Sequence, residues 1–89
     1  METEERKRLA GIEATKWVRD GMSLGLGTGS TVSHTVVEIG RMISEGSINI
    51  VGVPTSLATH ELAMSVGIPL ATLSEVGVLD LVIDGTDEF

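Results

Sequence analysis

The sequence predicts an α/β fold: a Rossmann-like parallel sheet of four strands with helices on both faces. Short apolar runs alternate along the chain with segments whose apolar residues repeat at helical spacing, which is the pattern of strand–helix–strand units. Only two of the 89 residues are aromatic, Trp17 and Phe89. The core must therefore be built from Val, Ile, Leu and Ala, which are typical of buried parallel strands.

Three segments show the apolar spacing of amphipathic helices. The first covers Thr3–Val18, and its apolar stripe is expected to place Trp17 in the core. The second covers Thr31–Ser44. The third follows Pro54-Thr55-Ser56, a turn that can cap it, and ends at Gly67. The residues expected on one apolar face of the third helix are Ala58, Leu62 and Val66.

Four short apolar runs are predicted to be strands. In chain order they are Met22–Leu26, Ile48–Val53, Ile68–Leu73 and Asp80–Asp84. A sheet whose fourth strand stands almost at the end of the sequence lacks elements to close it. We therefore expect the domain to be truncated after that strand.

The charge and the composition exclude several classes of function. The formal net charge of -7 would repel a nucleic-acid backbone, so no nucleic-acid partner is expected. The absence of cysteine excludes disulfides, thiolate nucleophiles and cysteine metal sites, and it fits a reducing cytoplasm. The sequence contains no signal peptide and no membrane-spanning run, so we expect a soluble cytoplasmic protein without a membrane partner.

A glycine-rich turn, Gly25–Thr31, joins the first strand to the second helix. Glycine lets the backbone approach an oxyanion closely, and a helix N-terminus supplies unpaired N–H groups and a partial positive charge. Thr28, Ser30 and Thr31 add hydroxyl donors. This combination predicts a site for a small phosphate. A tight turn that merely connects two elements is the alternative.

Two other phosphate-binding motifs do not fit this turn. A dinucleotide fingerprint would have glycine or alanine where this chain has Ser30, and an acidic residue would follow the second strand. The corresponding segment, Gly52–Ser56, contains no acid. A P-loop requires Gly-Lys-Ser/Thr, which does not occur in the sequence.

A second polar loop, Asp84–Glu88, follows the fourth strand. In a doubly wound sheet the first and fourth strands are usually neighbours, so this loop and the Gly25–Thr31 turn are expected to line one crevice at the carboxyl ends of the strands. The carboxylates of Asp84 and Asp87 would accept hydrogen bonds from sugar hydroxyls or help to move protons. An ordinary Asp-Gly turn and a metal site are the alternatives.

Three segments together resemble the ribose-5-phosphate isomerase A family. Gly25–Thr31 is similar to the family's phosphate loop, and Pro54-Thr55-Ser56 with the helix that ends at Gly67 resembles its next segment. Leu81–Glu88 resembles the family's strand and Asp-Gly-Ala-Asp-Glu loop, with Thr86 in place of alanine. The segments occur in the family's order and spacing. The resemblance implies that residues 1–89 are the N-terminal part of a sugar-phosphate isomerase α/β domain.

The resemblance implies an isomerase that uses no metal and no cofactor. It would interconvert ribose 5-phosphate and ribulose 5-phosphate, through a cis-enediolate, in the non-oxidative branch of the pentose phosphate pathway. Asp84 and Asp87 are implied as catalytic residues near the sugar hydroxyls and the ring-opening chemistry. Self-association to a homo-oligomer is implied for the full-length family. The implied substrate-binding residues are Thr28, Gly29, Ser30, Thr31, Asp84, Gly85, Thr86 and Asp87.

The family continues with a Lys-Gly-Gly-Gly segment and a glutamate that acts as the general base, and this sequence contains neither. Abstraction of a proton next to a carbonyl needs a positioned base and a donor for the enediolate oxygen. We therefore predict that the 89-residue chain alone has no isomerase activity. Three other readings stay open: a non-enzymatic sugar-phosphate sensor domain of the same superfamily, an isomerase or lactonase acting on an amino-sugar or gluconate phosphate, and a truncated reading frame without a function of its own.

Overall fold

The computed structural model of the chain describes residues 3–83. It confirms the α/β class, with a parallel sheet of three strands in the order β2-β1-β3. The strands are β1 (Ser23–Leu26), β2 (Val51–Pro54) and β3 (Leu81–Ile83). The helices are α1 (Thr3–Ala14), α2 (Ser30–Ser44), α3 (Leu57–Ser65) and α4 (Leu73–Val76), and a 3-10 turn, Thr15–Trp17, follows α1.

The central strand of the sheet is β1, and both of the other strands pair with it. Leu24 pairs with Gly52 of β2 on one side and with Leu81 of β3 on the other. The strand β3 is the one predicted from the sequence as the fourth strand, Asp80–Asp84. Its pairing with β1 confirms the prediction that the first and fourth predicted strands are neighbours.

The predicted third strand, Ile68–Leu73, is wrong as a full strand. Only Leu70 pairs with β2, through a single parallel bridge to Gly52. Pro69 accepts a hydrogen bond from the Gly52 amide at 2.8 Å but has no N–H with which to extend a ladder. Thr72 then begins a capping box and starts α4. The segment is therefore extended for too few residues to make a strand.

The hydrophobic core lies between one face of the sheet and the helices α2 and α3, and α1 packs on α2. Leu24, Leu26 and Ile83 share this face, because side chains alternate between the two faces along a strand. The stripe predicted for α2 is confirmed, since Val32, Val36 and Ile39 are buried and Ile43 packs against the core. The helix and loop residues that complete the core are Val18, Val32, Val36, Ile39, Ile50, Ala63 and Ile68.

The opposite face of the sheet is covered by the connection between Leu70 and β3. A Cβ atom placed on Gly25 would lie 2.9 Å from Leu79 Cδ1 and 3.2 Å from Val82 Cγ2. Because Gly25 alternates with Leu24 and Leu26, these contacts are on the second face. The connection, which contains α4, therefore contributes Leu79 to the second face of the sheet.

Trp17 was expected in the core and is instead 59% exposed. The prediction assumed that Ala10, Ala14, Trp17 and Val18 form one buried stripe, but Ala10 is exposed, Ala14 is only half-buried, and Gly11 of α1 is buried instead. The chain also changes to a 3-10 turn after Ala14, and Val18, which follows that turn, is buried. The Lys16 ammonium lies 5.4 Å from the centre of the Trp17 ring.

The face of α3 that packs on the core is partly the one predicted. Leu62 and Val66 are half-buried and pack against the core, as expected, whereas Ala58 is exposed. The buried residues of the helix are Thr59 and Ala63, and the sequence did not indicate Thr59 because its side chain is polar. The buried hydroxyl of Thr59 donates to the Gly27 carbonyl oxygen.

The exposed side of α2 carries ion pairs near its C-terminal end. Arg41 donates to Glu38 Oε2 at 2.5 Å and to Glu45 Oε2 at 2.6 Å. The hydrogen bond from Arg41 lowers the pKa of Glu38 below its usual value. Exposed pairs of this kind contribute little to stability.

None of the helices in residues 3–83 has the length and apolar character needed to cross a membrane.

Candidate phosphate-binding site

The glycine-rich turn lies at the carboxyl edge of the central strand. The strand β1 ends at Leu26, and α2 begins at Ser30. Gly29 is the N-cap of α2, with φ 119° and ψ 162°. Only glycine adopts this backbone conformation readily. It lets the chain leave the sheet and enter the helix within three residues, 27 to 29.

The inner side of the turn is held by hydrogen bonds from other elements. The Leu26 carbonyl oxygen accepts from the Thr55 amide at 3.0 Å and from Thr55 Oγ1 at 3.1 Å. The Gly27 carbonyl oxygen accepts from Thr59 Oγ1 at 2.9 Å. The Gly27 amide donates to the Ile83 carbonyl oxygen at 2.8 Å. The turn is therefore fixed by β3 and by the residues around the start of α3.

The outer side of the turn presents backbone donors. Within residues 3–83, the amides of Thr28, Gly29 and Ser30 donate to no protein acceptor. Thr28 and Gly29 are exposed and Ser30 is half-buried. The Gly29 carbonyl oxygen accepts from the Ser33 amide at 3.1 Å, which orients the first turn of the helix. The site therefore offers consecutive N–H groups at a helix N-terminus, which is an arrangement that binds anions.

The turn itself contributes backbone dipoles and hydroxyl groups but no side-chain charge. No residue from Gly27 to Ser33 has a charged side chain. The first titratable group beyond them is His34, whose Nε2 lies 2.7 Å from Glu4 Oε2 of α1. An anion at the turn would consequently be bound by amide dipoles and hydroxyl groups, together with the partial positive charge of the helix.

Helix α1 packs directly against the first turn of α2. Thr35, which is fully buried, donates through Oγ1 to the Gly11 carbonyl oxygen at 2.7 Å and to the Thr31 carbonyl oxygen at 3.2 Å. A Cβ atom on Gly11 would lie 2.6 Å from the Thr31 carbonyl oxygen and 2.7 Å from His34 Cβ. The close approach of the two helices therefore depends on the missing side chain at Gly11.

A separate cavity of about 290 Å³ lies beside the carboxyl end of β2. It is bounded by Pro54 and by the polar side chains of His60, Thr72 and Glu75. The turn residues 27 to 31 do not line it. Across residues 3–83, no three His, Asp or Glu side chains are grouped closely enough to hold a metal ion.

The structure brings together half of the predicted site. Thr28, Gly29, Ser30 and Thr31 lie in sequence at the turn and the start of α2. Ile83, the residue before Asp84, lies against this turn through its bond to Gly27. The other predicted residues, Asp84, Gly85, Thr86 and Asp87, lie outside the described residues.

The sequence analysis missed two residues that hold the turn. Thr55 was interpreted as part of a capping turn at the carboxyl end of the second strand, without a contact to the glycine-rich turn, and Thr59 was not singled out. Ser56 is the N-cap of α3, as expected, and accepts from the Thr59 amide at 3.2 Å. The available signal was the pair of threonines at and just beyond the carboxyl end of a strand that neighbours the glycine-rich turn.

Comparison with known proteins identifies the family. Residues 51–89 match the family model of ribose 5-phosphate isomerase A (phosphoriboisomerase A). The chain is 54% identical over 82 residues to ribose-5-phosphate isomerase A of Enterococcus faecalis, an alignment that covers 92% of this chain and 36% of that protein. The chain belongs to the ribose 5-phosphate isomerase A family.

Other members of the family agree with this assignment. A probable ribose-5-phosphate isomerase 1 of Arabidopsis thaliana is 50% identical over 86 residues, which are 96% of this chain and 32% of that protein. The solved ribose 5-phosphate isomerase A of Methanocaldococcus jannaschii superposes with a TM-score of 0.90 at 44% identity, over 98% of this chain and 38% of that one. The chain thus spans between 32% and 38% of the length of these relatives.

A further solved structure bears on the site. It is a D-ribose-5-phosphate isomerase in complex with phospho-erythronic acid. It superposes with a TM-score of 0.95 at 44% identity, over 99% of this chain and 39% of that one. A close structural relative therefore binds a phosphorylated sugar acid.

Proposed function

We propose that this chain supplies the sugar-phosphate-binding part of a ribose-5-phosphate isomerase. Residues 1–89 would be the N-terminal part of the isomerase α/β domain. The enzyme interconverts ribose 5-phosphate and ribulose 5-phosphate in the pentose phosphate pathway. The observation that carries the proposal is the row of amides at Thr28, Gly29 and Ser30, which have no protein acceptor among the described residues and stand at the N-terminus of α2.

The phosphate group of the substrate binds at Thr28, Gly29, Ser30 and Thr31 in this proposal. Hydrogen bonds to a charged group contribute about 1.5–3 kcal/mol each. Three or four such bonds from amides and hydroxyls are enough to hold a phosphate monoester without a lysine in the turn. The glycine at position 29 leaves room for the phosphate oxygens to approach the backbone.

The sugar end of the substrate lies beside Asp84, Gly85, Thr86 and Asp87 in the same proposal. The support is the position of Ile83, whose carbonyl oxygen accepts from the Gly27 amide at the phosphate turn. Asp84 is the next residue in the sequence, which supports the proposal that its loop begins beside that turn. The two aspartates would accept hydrogen bonds from sugar hydroxyls and take part in ring opening, as catalytic residues, without a metal or a cofactor.

Three further parts of the proposal concern the cellular location, the self-association and the partners of the enzyme. We propose that the enzyme works in the cytoplasm, self-associates in its full-length form and has no nucleic-acid partner. The net charge of -7 supports the last point, because it opposes the approach of a polyanion.

The proposed binding mode is tested by mapping the ligand on the backbone. We expect ribose 5-phosphate to shift the nuclear magnetic resonance signals of the amides of Thr28, Gly29 and Ser30 more than any others in the described part of the chain. Ser30→Ala, which removes a hydroxyl donor, should weaken the affinity about ten-fold. Ser44→Ala at the other end of α2 is the matched control and should leave it unchanged. Shifts concentrated elsewhere, or equal affinities for the two variants, would contradict the proposal.

A further inference from the structure

The hydroxyl of Thr59 is directed across the fold to the glycine-rich turn. Thr59 is 7% exposed and lies in the first turn of α3. A threonine in a helix often bonds back to a carbonyl of its own helix. Thr59 Oγ1 instead donates to the Gly27 carbonyl oxygen at 2.9 Å, which lies 32 positions earlier in the chain. A residue of α3 therefore holds a peptide group of the turn that precedes α2.

The direction of this hydrogen bond is fixed by a neighbour. Ser56 Oγ donates its hydrogen to Thr59 Oγ1 at 3.0 Å and accepts from the Thr59 amide at 3.2 Å. Since the Thr59 oxygen is already the acceptor of one hydroxyl, its own hydrogen is available for Gly27. A carbonyl oxygen can only accept. The order is therefore Ser56 to Thr59 to Gly27, and successive hydroxyl bonds of this kind strengthen one another.

Fixing the Gly27 carbonyl also fixes the Thr28 amide. The two groups belong to one planar trans peptide unit, in which C=O and N–H point in opposite directions. With the oxygen held towards α3, the N–H group of Thr28 points away from α3. Thr28 is exposed and its amide has no protein acceptor within the described residues. The amide is consequently aimed at the open side of the turn.

We propose that Thr59 is a positioning residue for phosphate binding, because it sets the orientation of the Gly27–Thr28 peptide and so aims the Thr28 amide at the ligand. The residue does not touch the substrate. It acts through the backbone of the turn, and its role rests on the proposed function of that turn. The buried hydroxyl would otherwise need another acceptor inside the protein.

Three variants of the whole chain distinguish an effect on the orientation of the Gly27–Thr28 peptide from an effect on the stability of the fold. Thr59→Val keeps the shape of the side chain and removes the donor, whereas Thr59→Ser keeps the donor. Thr15→Val is the matched control, since Thr15 Oγ1 also donates to a backbone carbonyl, that of Ile12 at 2.6 Å, in the 3-10 turn after α1. Thr59→Ala replaces Thr59→Val if the latter does not fold.

The first readout is the affinity for ribose 5-phosphate, measured by calorimetry. We expect Thr59→Val to weaken binding about ten-fold, Thr59→Ser to remain within about two-fold of the original chain, and Thr15→Val to bind unchanged. Unchanged binding by Thr59→Val would overturn the inference while leaving the proposed function intact. An equal loss in Thr59→Val and Thr15→Val would also overturn it, because the effect would then be one of stability.

The second readout needs no ligand. We expect the Thr28 amide to change its chemical shift and its hydrogen-exchange rate in Thr59→Val, and to keep both in Thr59→Ser and Thr15→Val. An unchanged Thr28 amide in Thr59→Val would overturn the inference. If the original chain binds no ribose 5-phosphate, the proposed function fails, and this readout still decides whether Thr59 orients the peptide.

Discussion

At the scale of single residues, the candidate site depends on how a few peptide groups are oriented. Gly29 supplies a backbone conformation that side chains disfavour, and Thr55 and Thr59 hold the carbonyl groups on the inner side of the turn. The sequence was enough to place Thr28 in a glycine-rich turn and Ser30 near the start of the second helix. It was not enough to predict Thr59, because its partner is a backbone oxygen brought close only by the crossing of α3 and the turn.

Gly29→Ala tests whether the turn must keep its conformation to bind phosphate. A residue with a Cβ atom is strained by about 1–3 kcal/mol at φ 119° and ψ 162°, the backbone angles of Gly29. The turn of the Gly29→Ala variant should therefore change its conformation, and the affinity for ribose 5-phosphate should fall at least ten-fold. Gly21→Ala is the control, since Gly21 also has a positive φ, of 86°, with no atom within 4 Å of an added Cβ. It should reduce stability and leave binding intact. Equal affinities of the two variants would show that the conformation at Gly29 does not matter for binding.

At the scale of elements, the strongest sequence pattern gave the best prediction. The predicted bounds of the second helix, Thr31–Ser44, differ from those of α2 by one residue, because its apolar stripe runs over the whole helix. The first helix was predicted too long, and the predicted third strand is a single bridge. Both errors have local causes, a change to 3-10 geometry before Val18 and the missing N–H of Pro69.

Gly11→Ala tests the contact between α1 and the first turn of α2. Helix propensity alone would make alanine more stable than glycine in α1 by about 1 kcal/mol. The added Cβ would, however, lie 2.6 Å from the Thr31 carbonyl oxygen, and overpacking of this kind costs about 1–3 kcal/mol. We therefore expect a net loss of stability, measured as a lower midpoint in urea unfolding, and weaker phosphate binding. A more stable Gly11→Ala variant would contradict the packing described.

At the scale of the whole molecule, the strand order brings distant parts of the sequence to one edge. With β1 between β2 and β3, the phosphate turn, the Thr55 segment and the last described residue, Ile83, meet at the carboxyl ends of the strands. The sequence predicted this neighbourhood because alternating strands and helices restrict the topologies available. The predicted loop with Asp84 and Asp87 follows Ile83 in the sequence and lies outside the described residues.

The proposed function requires this chain to recognise the phosphate group of a pentose phosphate. Calorimetric titration of the 89-residue chain with ribose 5-phosphate and with ribose, with isomerisation assayed in the same samples, tests it most directly. We predict binding of ribose 5-phosphate, no binding of ribose and no turnover, because the turn holds the phosphate while the general base of the family is absent from this sequence. A folded chain that binds neither compound, or that binds ribose as tightly as its phosphate, would contradict the proposed function.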